Sequence, residues 1–340
     1  MYWKQLYIKT VTLSTHYAHF FAFLAKNLCS CYADGMMNEF SQQITLPAGE
    51  SMPVRRYLQS RLGISNSMWR RIKNTGNFTL NGEPVNATRS VLKDGDRIAF
   101  SMEKRPSTIE PEDIPLDIRY EDDWLMVVNK PAKMLVHPIA KEQHGTLGNA
   151  VLGYYQRRHL PYAFHPVHRL DRNTTGLVLI AKAPQIQFQL SSKRNQGIKP
   201  LHRDYLAIAC GEWEPAAGTI DRPIGREDGS FIRQCVRSDE KGRPAVTHYR
   251  VIGAADGLSL LELRLETGRT HQIRVHLASI GHPILGDDLY GTPSPAIGRQ
   301  ALHAWRLRFE HPITGESVEV TAPPPPDMAA LLTAFPRVCP

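Results

Sequence analysis

The sequence predicts an α+β protein whose larger part is a mostly antiparallel sheet and whose N-terminal part is a small α/β domain. Two continuous apolar runs, WLMVVNK at 124–130 and GLVLIAK at 176–182, are typical of buried strands. Two further strand-like segments within 247–266 meet at Asp256-Gly257, a dipeptide that favours a tight antiparallel hairpin. Long strands joined by short turns, with helical patterns between some of them, indicate the α+β class.

Residues 50–101 carry the pattern of the small domain, which begins with two short amphipathic helices. In the first helix, Val54, Tyr57, Leu58 and Leu62 fall on one face. Ser65 is placed to cap the second helix, and Gly76 is placed to end it. Both helices are rich in basic residues, namely Arg55, Arg56, Arg61, Arg70, Arg71 and Lys73. These charges predict either a phosphate-binding surface or an ordinary solvated helix face.

Small strands follow the two helices. Asn81-Gly82 lies between short apolar runs and predicts a hairpin, and Asp94-Gly95 repeats that pattern. The arrangement expected for the small domain is therefore two helices followed by short strands.

Changes in composition set the other predicted boundaries. Residues 1–49 form an N-terminal extension that we expect to be disordered or a gene-model extension. Residues 102–115 have mixed charge, three prolines and no periodicity, which is typical of a linker. The larger domain is expected to span 116–325, and residues 326–340 to form a C-terminal tail after the APPPPD run.

The overall composition limits the classes of function. A net charge of +8 favours a polyanionic partner such as nucleic acid, because Lys and Arg attract phosphates. No apolar stretch approaches the roughly 20 residues that a membrane-spanning helix needs. The five cysteines are odd in number and scattered, as is typical of a reduced, cytosolic protein. We therefore expect a cytoplasmic protein without a membrane anchor, and a monomer as the default state.

The sequence contains no motif that is typical of a metal site or a nucleotide-binding site. His165 and His168, and likewise His271 and His276, are closely spaced, but neither pair has a Cys or an acid at ligand spacing. The HExxH motif and the zinc deaminase signature are absent, as is the GxxxxGK[ST] phosphate loop. We expect no metal and no nucleotide cofactor.

The polar loop HRLDRNTTG, residues 168–176, runs directly into the second apolar strand. A buried strand holds such a loop rigidly, while the carboxylate of Asp171 can open to a cleft. Arg169 and Arg172 bracket this acid and are expected to favour its ionised form. The alternative is a loop aspartate that only makes a turn hydrogen bond to a neighbouring residue.

Five sequence elements, in order, carry a family resemblance. HRLDRNTTG resembles the HRLDxxTxG signature of RluA-type RNA pseudouridine synthases. NKPAKMLVHP at 129–138 is similar to the family's N-K-P-x-G-x-x-V-H-P element, and departs from it at Lys133, beside the family's glycine position. The other elements are RDYLAIACG at 203–211, DEKGRPAVTHY at 239–249 and ETGRTHQIRVHLASIGHPILGDDLYG at 266–291. Five elements in the right order argue against accidental similarity.

The resemblance implies that the larger domain has a central cleft and isomerises uridine to pseudouridine in RNA. It implies that Asp171 is catalytic, that Arg274 pairs with it and that Tyr205 packs on the target base. Arg169 matches the family residue that fills the gap left when the uridine leaves its stack. The substrate-binding residues taken from the same motifs are Arg169, His168, Thr175, Gln272 and Leu277.

The chemistry of this reaction explains why one carboxylate is enough. The N1–C1′ bond of uridine breaks and C5 joins C1′, with no atoms gained and no redox change, so no cofactor is required. The detached uracil is itself the returning nucleophile, unlike the water of a glycosidase. Asp171 could attack C1′ covalently or remove a proton from C2′, and the sequence leaves both routes open.

The basic helices of 50–101 resemble the S4 RNA-binding domain, which implies RNA-binding roles for Arg55, Arg56, Arg70, Arg71 and Lys73. A second grip on folded RNA favours large ribosomal RNA over tRNA, by family analogy. The alternatives are a tRNA target, and a non-catalytic RNA-binding or ribosome-assembly factor. A metal-dependent nuclease would need clustered acids, and the motifs offer only Asp287 and Asp288 beyond Asp171.

Overall fold

The computed structural model describes residues 38–62, 64, 66–75, 77–102, 108–191 and 201–335. Within these residues the chain forms an N-terminal unit and a larger C-terminal unit. The helix caps predicted at Ser65 and Gly76 lie outside the described residues, as does most of the predicted extension. Across the described part of the chain, every helix is too short or too polar to span a membrane.

Two helices and two small antiparallel sheets make up the N-terminal unit. Helices α1 (Val54–Ser60) and α2 (Asn66–Thr75) form where the sequence predicts them. The strands are β1 (Asn38–Gln43), β2 (Ser51–Pro53), β3 (Phe78–Leu80), β4 (Glu83–Pro84), β5 (Val91–Lys93) and β6 (Arg97–Met102). One sheet has the order β1–β6–β3–β4, and the other pairs β2 with β5.

The apolar faces of both helices form the core of this unit. Tyr57 and Leu58 of α1 are 1% and 0% exposed, and Trp69 of α2 is 4% exposed. They belong to one cluster with Phe78 and Phe100, whose stacked rings lie 6.2 Å apart between centroids. The basic side chains of the helices consequently lie outside this core: Arg55, Arg56, Arg70 and Lys73 are exposed and Arg71 is half-buried.

The start of the N-terminal unit predicted at residue 50 is wrong. Strand β1 pairs along its whole length with β6, from Asn38 opposite Met102 to Gln43 opposite Arg97. Ile44 is 1% exposed in the same core. The strand went unnoticed because NEFSQQ contains one apolar residue, so the sequence gives no alternation to detect.

Only one of the two predicted hairpins in this unit forms. Asn81-Gly82 joins the paired strands β3 and β4, with φ of 54° and 90° at the two residues. Asp94-Gly95 also makes a tight turn, but β5 pairs with β2, whereas β6 pairs with β1 and β3. The Asp94 carboxylate accepts a hydrogen bond from the Leu46 N–H at 2.9 Å. The dipeptide therefore specifies the turn, while packing decides which strands pair.

A ten-stranded sheet forms the centre of the C-terminal unit. The strands of this unit are β7 (Ile118–Glu121), β8 (Leu125–Lys130), β9 (His165–Pro166), β10 (Thr175–Ala181), β11 (His202–Cys210), β12 (Ala217–Asp221), β13 (Ile224–Arg226), β14 (Gln234–Val236), β15 (Val246–Ala255), β16 (Leu258–Leu265), β17 (Leu302–Glu310) and β18 (Ser317–Thr321). The order is β12–β15–β16–β11–β17–β10–β8–β7, with β18 on β17 and β9 on β10. Strands β13 and β14 form a separate hairpin.

The sheet is mostly antiparallel, which confirms the prediction. Among the described strands, β10 and β17 make a short parallel pairing and the other pairings are antiparallel. The predicted β15–β16 hairpin forms around Asp256 and Gly257, with φ of 52° and 69°. Both continuous apolar runs are buried strands, since Val127 and Leu179 are 0% exposed. In the described part of this unit, four helices pack around the sheet: α3 (Leu147–Arg157), α4 (Pro184–Ser191), α5 (Gln272–Ser279) and α6 (Pro326–Leu332).

Part of the predicted linker 102–115 is packed structure. The Glu112 N–H donates to the Asn149 carbonyl at 3.0 Å, and Asn149 Nδ2 donates to the Glu110 carbonyl at 2.8 Å. A Cβ on Gly153 would lie 1.9 Å from the Glu112 carbonyl oxygen, so this close approach requires glycine. Residues 108–115 therefore run along α3 and belong to the C-terminal unit.

The predicted C-terminal tail is also partly packed. Helix α6 begins directly after the proline run, and its Met328 is 0% exposed in the main core. Phe335 is 4% exposed in the same core, and Arg299 binds the Asp327 carboxylate with distances of 2.8 and 2.9 Å. Proline is favoured in the first turn of a helix, so APPPPD marks a helix start rather than the end of the domain.

Candidate active site

A cavity of about 830 Å³ opens in the C-terminal unit where the motif segments meet. Its wall includes the loop 166–172, part of β11 and the start of α5. Asp171, Tyr205 and Arg274, which the sequence predicts to be catalytic, all line this cavity. The fold thus brings three motifs that are far apart in the chain into one cleft.

Buried anchors on both sides hold the loop that carries Asp171. Leu170 is 8% exposed and packs in the main core. The Asp171 carbonyl accepts a hydrogen bond from the Thr174 N–H at 3.1 Å, and Lys130 Nζ donates to the Arg172 carbonyl at 3.0 Å. The Asp171 side chain itself remains 25% exposed. A rigid loop therefore presents an accessible carboxylate, which is the arrangement expected from the sequence.

Glycine at position 176 fixes where this loop enters the sheet. Gly176 has a φ of 114°, and a Cβ there would lie 2.2 Å from the Ala304 carbonyl oxygen of β17. Side chains other than hydrogen are excluded on both counts. The close approach of β10 to β17 sets the height of the loop above the sheet.

Arg274 is held by one carboxylate and reaches a second. Its Nε and Nη2 each lie 2.7 Å from an oxygen of Asp287, and both residues are buried. Its Nη1 lies 3.5 Å from Asp171 Oδ2, within ion-pair range. Burial opposes the charge of Asp287, but the hydrogen bonds from Arg274 hold the pKa of that carboxyl below its usual range. Arg274 is consequently a fixed positive charge beside Asp171.

The two arginines that flank Asp171 in sequence have different surroundings. The Arg172 guanidinium makes a two-pronged ion pair with the Glu142 carboxylate. Arg169 is exposed at the cavity wall. Glu142 thus binds the Arg172 guanidinium, and a role of either arginine beside Asp171 stays a prediction. Arg274, which is distant in sequence, approaches Asp171.

Tyr205 occupies a bulged part of strand β11. The pairing register with β17 shifts between Asp204 and Tyr205, and such bulges re-aim side chains beside active sites. Tyr205 is 4% exposed and lines the cavity. Burial raises the pKa of its hydroxyl, so the ring is a neutral aromatic surface at physiological pH. Three arginines that bind the buried Asp204 anchor the bulge: Arg264, Arg306 and Arg308.

Three of the predicted substrate-binding residues make contacts that hold the fold. The Thr175 hydroxyl bonds to His303 Nδ1 at 2.8 Å inside the sheet, where Thr175 is 3% exposed. The Gln272 amide is consumed by four hydrogen bonds that hold the turn before α5. Leu277 is 0% exposed in the main core. Gln272 also lines the main cavity, whereas Thr175 and Leu277 are not part of its described lining. Substrate binding by these residues stays a prediction.

His168 lines the cavity, but it forms a hydrogen bond with the backbone of strand β10. Its Nε2 accepts the Leu179 N–H at 3.2 Å, and the residue is 9% exposed. Burial lowers the pKa of His168 to about 3, so the ring is neutral and fastens the Asp171 loop to β10. A role in binding substrate stays a prediction.

This buried imidazole leads to a prediction about acid stability. The folded pKa of about 3 lies below the ordinary 6.5, so the unfolded chain binds more protons between these values. The free energy of unfolding should therefore fall as pH drops through that window. His168→Gln keeps an acceptor for Leu179 and should lose about 2 kcal/mol less stability than wild type between pH 7 and pH 5. Urea unfolding at both pH values measures the difference.

A matched control separates titration from packing. Ile180→Val trims the core without removing a titrating group, and should keep the wild-type dependence on pH. If His168→Gln and Ile180→Val lost stability in parallel with wild type, the buried neutral state of His168 would be excluded.

Lys130, which the motifs did not single out, is part of the framework of the site. Lys130 is 0% exposed, and its Nζ donates to the carbonyls of Pro131, Met134 and Arg172 at 2.8, 2.9 and 3.0 Å. Burial lowers the pKa of Lys130 to about 7, while Asp171 opposes that shift. A lysine at the end of an apolar strand was a possible signal, since a buried lysine requires partners.

Lys133, at which the segment NKPAKMLVHP departs from the family pattern, has a backbone conformation that glycine favours. Lys133 has a φ of 62°, in the left-handed region that glycine adopts most readily. The departure from the family pattern at this residue is therefore accommodated with some backbone strain. The loop still supplies the carbonyl of Met134 to Lys130.

Two carboxylates of the described residues line the cavity, and they differ in environment. Glu266 is 60% exposed and binds His248 Nε2 at 2.6 Å. Asp171 faces the Arg274 guanidinium and His271, whose Nε2 lies 3.9 Å from Asp171 Oδ1. Over the described ranges, no three His, Cys, Asp or Glu side chains are grouped so that they could hold a metal ion. Of these two carboxylates, Asp171 is the one that lies beside the buried Arg274 guanidinium.

A second cavity adjoins the first. It has a volume of about 650 Å³ and shares Arg269 and Thr270 with the larger cavity. Phe231, at the tip of the β13–β14 hairpin, lines it and is 92% exposed, and the neighbouring Ile232 is 65% exposed. Arg226 and Arg243 also line it and are exposed. An apolar tip beside arginines suits a partner that has flat bases and phosphates.

Comparison with known proteins agrees with this site. The family model described as RNA pseudouridylate synthase matches residues 124–279. The chain is 41% identical over 284 residues to the RNA pseudouridine synthase YjbO of Bacillus subtilis, covering 83% of this chain and 98% of that relative. It is 41% identical over 272 residues to ribosomal large subunit pseudouridine synthase D of Escherichia coli strain K12, covering 74% of this chain and 81% of that relative.

A solved structure has the same fold. Human RNA pseudouridylate synthase domain containing 1 is 27% identical, with a TM-score of 0.51, and the match covers 68% of this chain and 91% of that chain. The chain therefore belongs to the family of RNA pseudouridylate synthases. It is an enzyme that isomerises uridine to pseudouridine within RNA.

Proposed function

We propose that this pseudouridine synthase modifies uridines of large-subunit ribosomal RNA, with Asp171 as its catalytic carboxylate. The observation that supports the role of Asp171 is its place in the main cavity, accessible and 3.5 Å from the fixed Arg274 guanidinium. Several relatives named ribosomal large subunit pseudouridine synthase D, at 41–44% identity, support the choice of RNA. The alternative substrate is tRNA, and the experiment must distinguish it from large-subunit ribosomal RNA.

The proposed reaction uses the carboxylate at the sugar. The N1–C1′ bond breaks, the uracil turns within the cavity, and C5 bonds to C1′. The hydrogen on C5 is then lost to solvent and N1 gains a proton, so atoms and charge balance. Asp171 either bonds to C1′ during the exchange or removes and returns the proton of C2′. Both routes need an ionised carboxylate, and the Arg274 guanidinium places a positive charge 3.5 Å from Asp171 Oδ2.

Tyr205 and Arg169 supply the proposed binding of the target nucleotide. The uridine must leave its stack before C1′ and C5 can be reached. The neutral ring of Tyr205 offers a face for the extruded base, because stacking is tolerant of sequence and contributes about 1–3 kcal/mol per base. Arg169 is exposed at the rim and can occupy the vacated space in the RNA.

The N-terminal unit is proposed as a second grip of the S4 type. Its helices α1 and α2 present Arg55, Arg56, Arg70 and Lys73 to solvent, with Arg71 half-buried. Phosphate contacts by such residues raise affinity for folded RNA without reading its sequence. We further propose that the enzyme works in the cytoplasm as a monomer. The described cysteines, Cys210 and Cys235, are free thiols, which fits a reducing compartment.

The hairpin tip gives a prediction about RNA affinity. Phe231→Ala should weaken binding of substrate RNA by about tenfold, because one aromatic stacking contact is lost. Phe231→Trp keeps an aromatic face and should bind within a few-fold of wild type. The ring is 92% exposed, so neither change should alter the free energy of unfolding. Filter binding with labelled RNA measures the affinity, and equal affinity of all three proteins would exclude a contact at Phe231.

The target is tested by offering several RNAs in parallel. Transcripts of large-subunit ribosomal RNA, small-subunit ribosomal RNA and bulk tRNA are incubated with wild type, and pseudouridine positions are mapped by carbodiimide-dependent stops. We expect defined positions in large-subunit RNA and none in tRNA. Modification confined to tRNA would overturn the proposed substrate while leaving the enzyme class intact.

A further inference from the structure

His271 lies against Asp171 on the side opposite Arg274. Its Nε2 is 3.9 Å from Asp171 Oδ1, whereas Arg274 Nη1 is 3.5 Å from Asp171 Oδ2. His271 lines the main cavity and is 13% exposed. It stands directly before α5 with a left-handed φ of 57°. The two carboxylate oxygens thus face two different nitrogen groups, of which only Arg274 has an assigned role.

Tyr290 indicates which nitrogen of His271 carries the hydrogen. The Tyr290 hydroxyl oxygen accepts the Gln234 N–H at 2.8 Å and lies 2.8 Å from His271 Nδ1. Burial raises the pKa of Tyr290 to about 12, so this hydroxyl keeps its hydrogen at neutral pH. Within the described ranges, His271 Nδ1 is the acceptor available to that hydrogen. A neutral ring that accepts at Nδ1 has its N–H at Nε2.

The charges around His271 favour the neutral ring. Burial lowers the pKa of His271, and Arg274 acts in the same direction. Asp171 and Asp287 act in the opposite direction. Asp287, however, is already bound on both oxygens by Arg274. The Tyr290 ring completes the surroundings, packed edge-on to the imidazole at 5.6 Å between centroids and lying 5.1 Å from the Arg274 guanidinium carbon.

We propose that His271 is a positioning residue that holds the Asp171 carboxylate from its Oδ1 side, as a neutral Nε2–H donor oriented by Tyr290. The inference rests on the proposed catalytic role of Asp171. In this tautomer Nδ1 is occupied and Nε2 has no free lone pair, so His271 cannot act as the general base.

The distance between His271 Nε2 and Asp171 Oδ1 indicates at which stage the hydrogen bond forms. A separation of 3.9 Å exceeds the upper limit of about 3.2 Å for an N–H···O hydrogen bond. The carboxylate reaches the donor by a shift of less than about 1 Å, which accompanies its engagement with the ribose. Fixing Oδ1 in this way leaves the Asp171 carboxylate in one orientation relative to C1′ and C2′, as both routes require.

Kinetics and imidazole NMR test the proposal together. In ¹⁵N-histidine spectra of the intact protein at pH 7, we expect His271 to have a protonated Nε2 and an unprotonated Nδ1. His271→Phe keeps a ring but no donor, and should lower kcat by about tenfold to a hundredfold with KM within about threefold of wild type. His271→Gln restores a donor near the Nε2 position and should recover most of that loss. Tyr290→Phe should lower kcat less than His271→Phe and should broaden or shift the His271 signals.

The controls make each outcome decisive. Tyr154 lies on α3, outside the cavity lining, and its hydroxyl donates a hydrogen bond to Glu121. Tyr154→Phe removes that hydroxyl and should leave kcat and the His271 signals unchanged. A hydrogen on Nδ1, a doubly protonated ring, or an effect of His271→Phe on KM alone would overturn the proposal. A wild type inactive on every RNA would instead defeat the proposed function, and the spectra would still decide the tautomer.

Discussion

Replacing Asp171 with asparagine should reduce pseudouridine formation by a factor on the order of 10⁴, with the fold and the RNA affinity retained. The amide has nearly the size of the carboxylate, but it can neither attack C1′ as a nucleophile nor take a proton from C2′. The side chain is 25% exposed, so the change should leave the fold intact. Single-turnover product formation at saturating enzyme measures the loss.

Glu266→Gln is the matched control for Asp171→Asn. Glu266 is the other carboxylate lining the cavity, but it is 60% exposed and bound to His248. The variant should turn over RNA at close to the wild-type rate. Activity of Asp171→Asn within tenfold of wild type, with Glu266→Gln inactive, would mean that the wrong carboxylate has been chosen.

Replacing Arg274 with methionine should destabilise the protein by about 3–5 kcal/mol, because it leaves the Asp287 carboxylate buried without its partner. Both side chains are buried, at 6% and 0% exposure, and they are joined by two hydrogen bonds of 2.7 Å. The two backbone N–H groups that also bind Asp287, from Leu289 and Tyr290, cannot replace a guanidinium charge. The same variant should be inactive, since Asp171 loses its neighbouring positive charge.

Urea unfolding and activity separate the two effects of Arg274. The double change Arg274→Met with Asp287→Leu removes both charges and should recover most of the stability without recovering activity. Arg274→Lys keeps a charge but cannot bind Asp287 with two parallel hydrogen bonds, so it should lie between wild type and Arg274→Met in stability. A loss below about 1 kcal/mol for Arg274→Met would show that the pair resembles an exposed salt bridge.

The elements of the fold with strong periodic signals could be predicted. The runs 124–130 and 176–182 are buried strands, and the Asp256-Gly257 hairpin forms where the dipeptide indicates. In both, a local pattern and the tertiary structure favour the same conformation. Strand β1 could not be predicted, because NEFSQQ owes its conformation to β6 rather than to its own composition. Asp94-Gly95 illustrates the converse, since a correct turn joined strands of different sheets.

Domain ends were misplaced for a related reason. Prolines at 102–115 and 322–327 suggest segments that are free of the core, yet residues 108–115 lie along α3 and α6 buries Met328. Proline removes a donor and fixes φ, but it does not prevent neighbouring apolar side chains from packing. Composition alone therefore underestimates how much of each end is structured.

Sequence motifs predicted which residues belong to the candidate site, but they did not predict the contacts between those residues. Asp171, Tyr205 and Arg274 line one cavity, as the motifs implied. Thr175 and Leu277 come from the same motifs and are buried in the sheet and the core, a difference that only three-dimensional packing shows. Lys130, His271 and Asp287 were missed because their importance lies in partners that are distant along the chain.

Release of tritium from [5-³H]uridine-labelled large-subunit ribosomal RNA tests the central claim most directly, because the hydrogen on C5 is lost only when C5 bonds to C1′. Wild type and Asp171→Asn are compared on the same RNA. We expect release by wild type and none above background by Asp171→Asn. Release by both proteins would contradict the assignment of Asp171, and release by neither, with wild type active on tRNA, would contradict the ribosomal target.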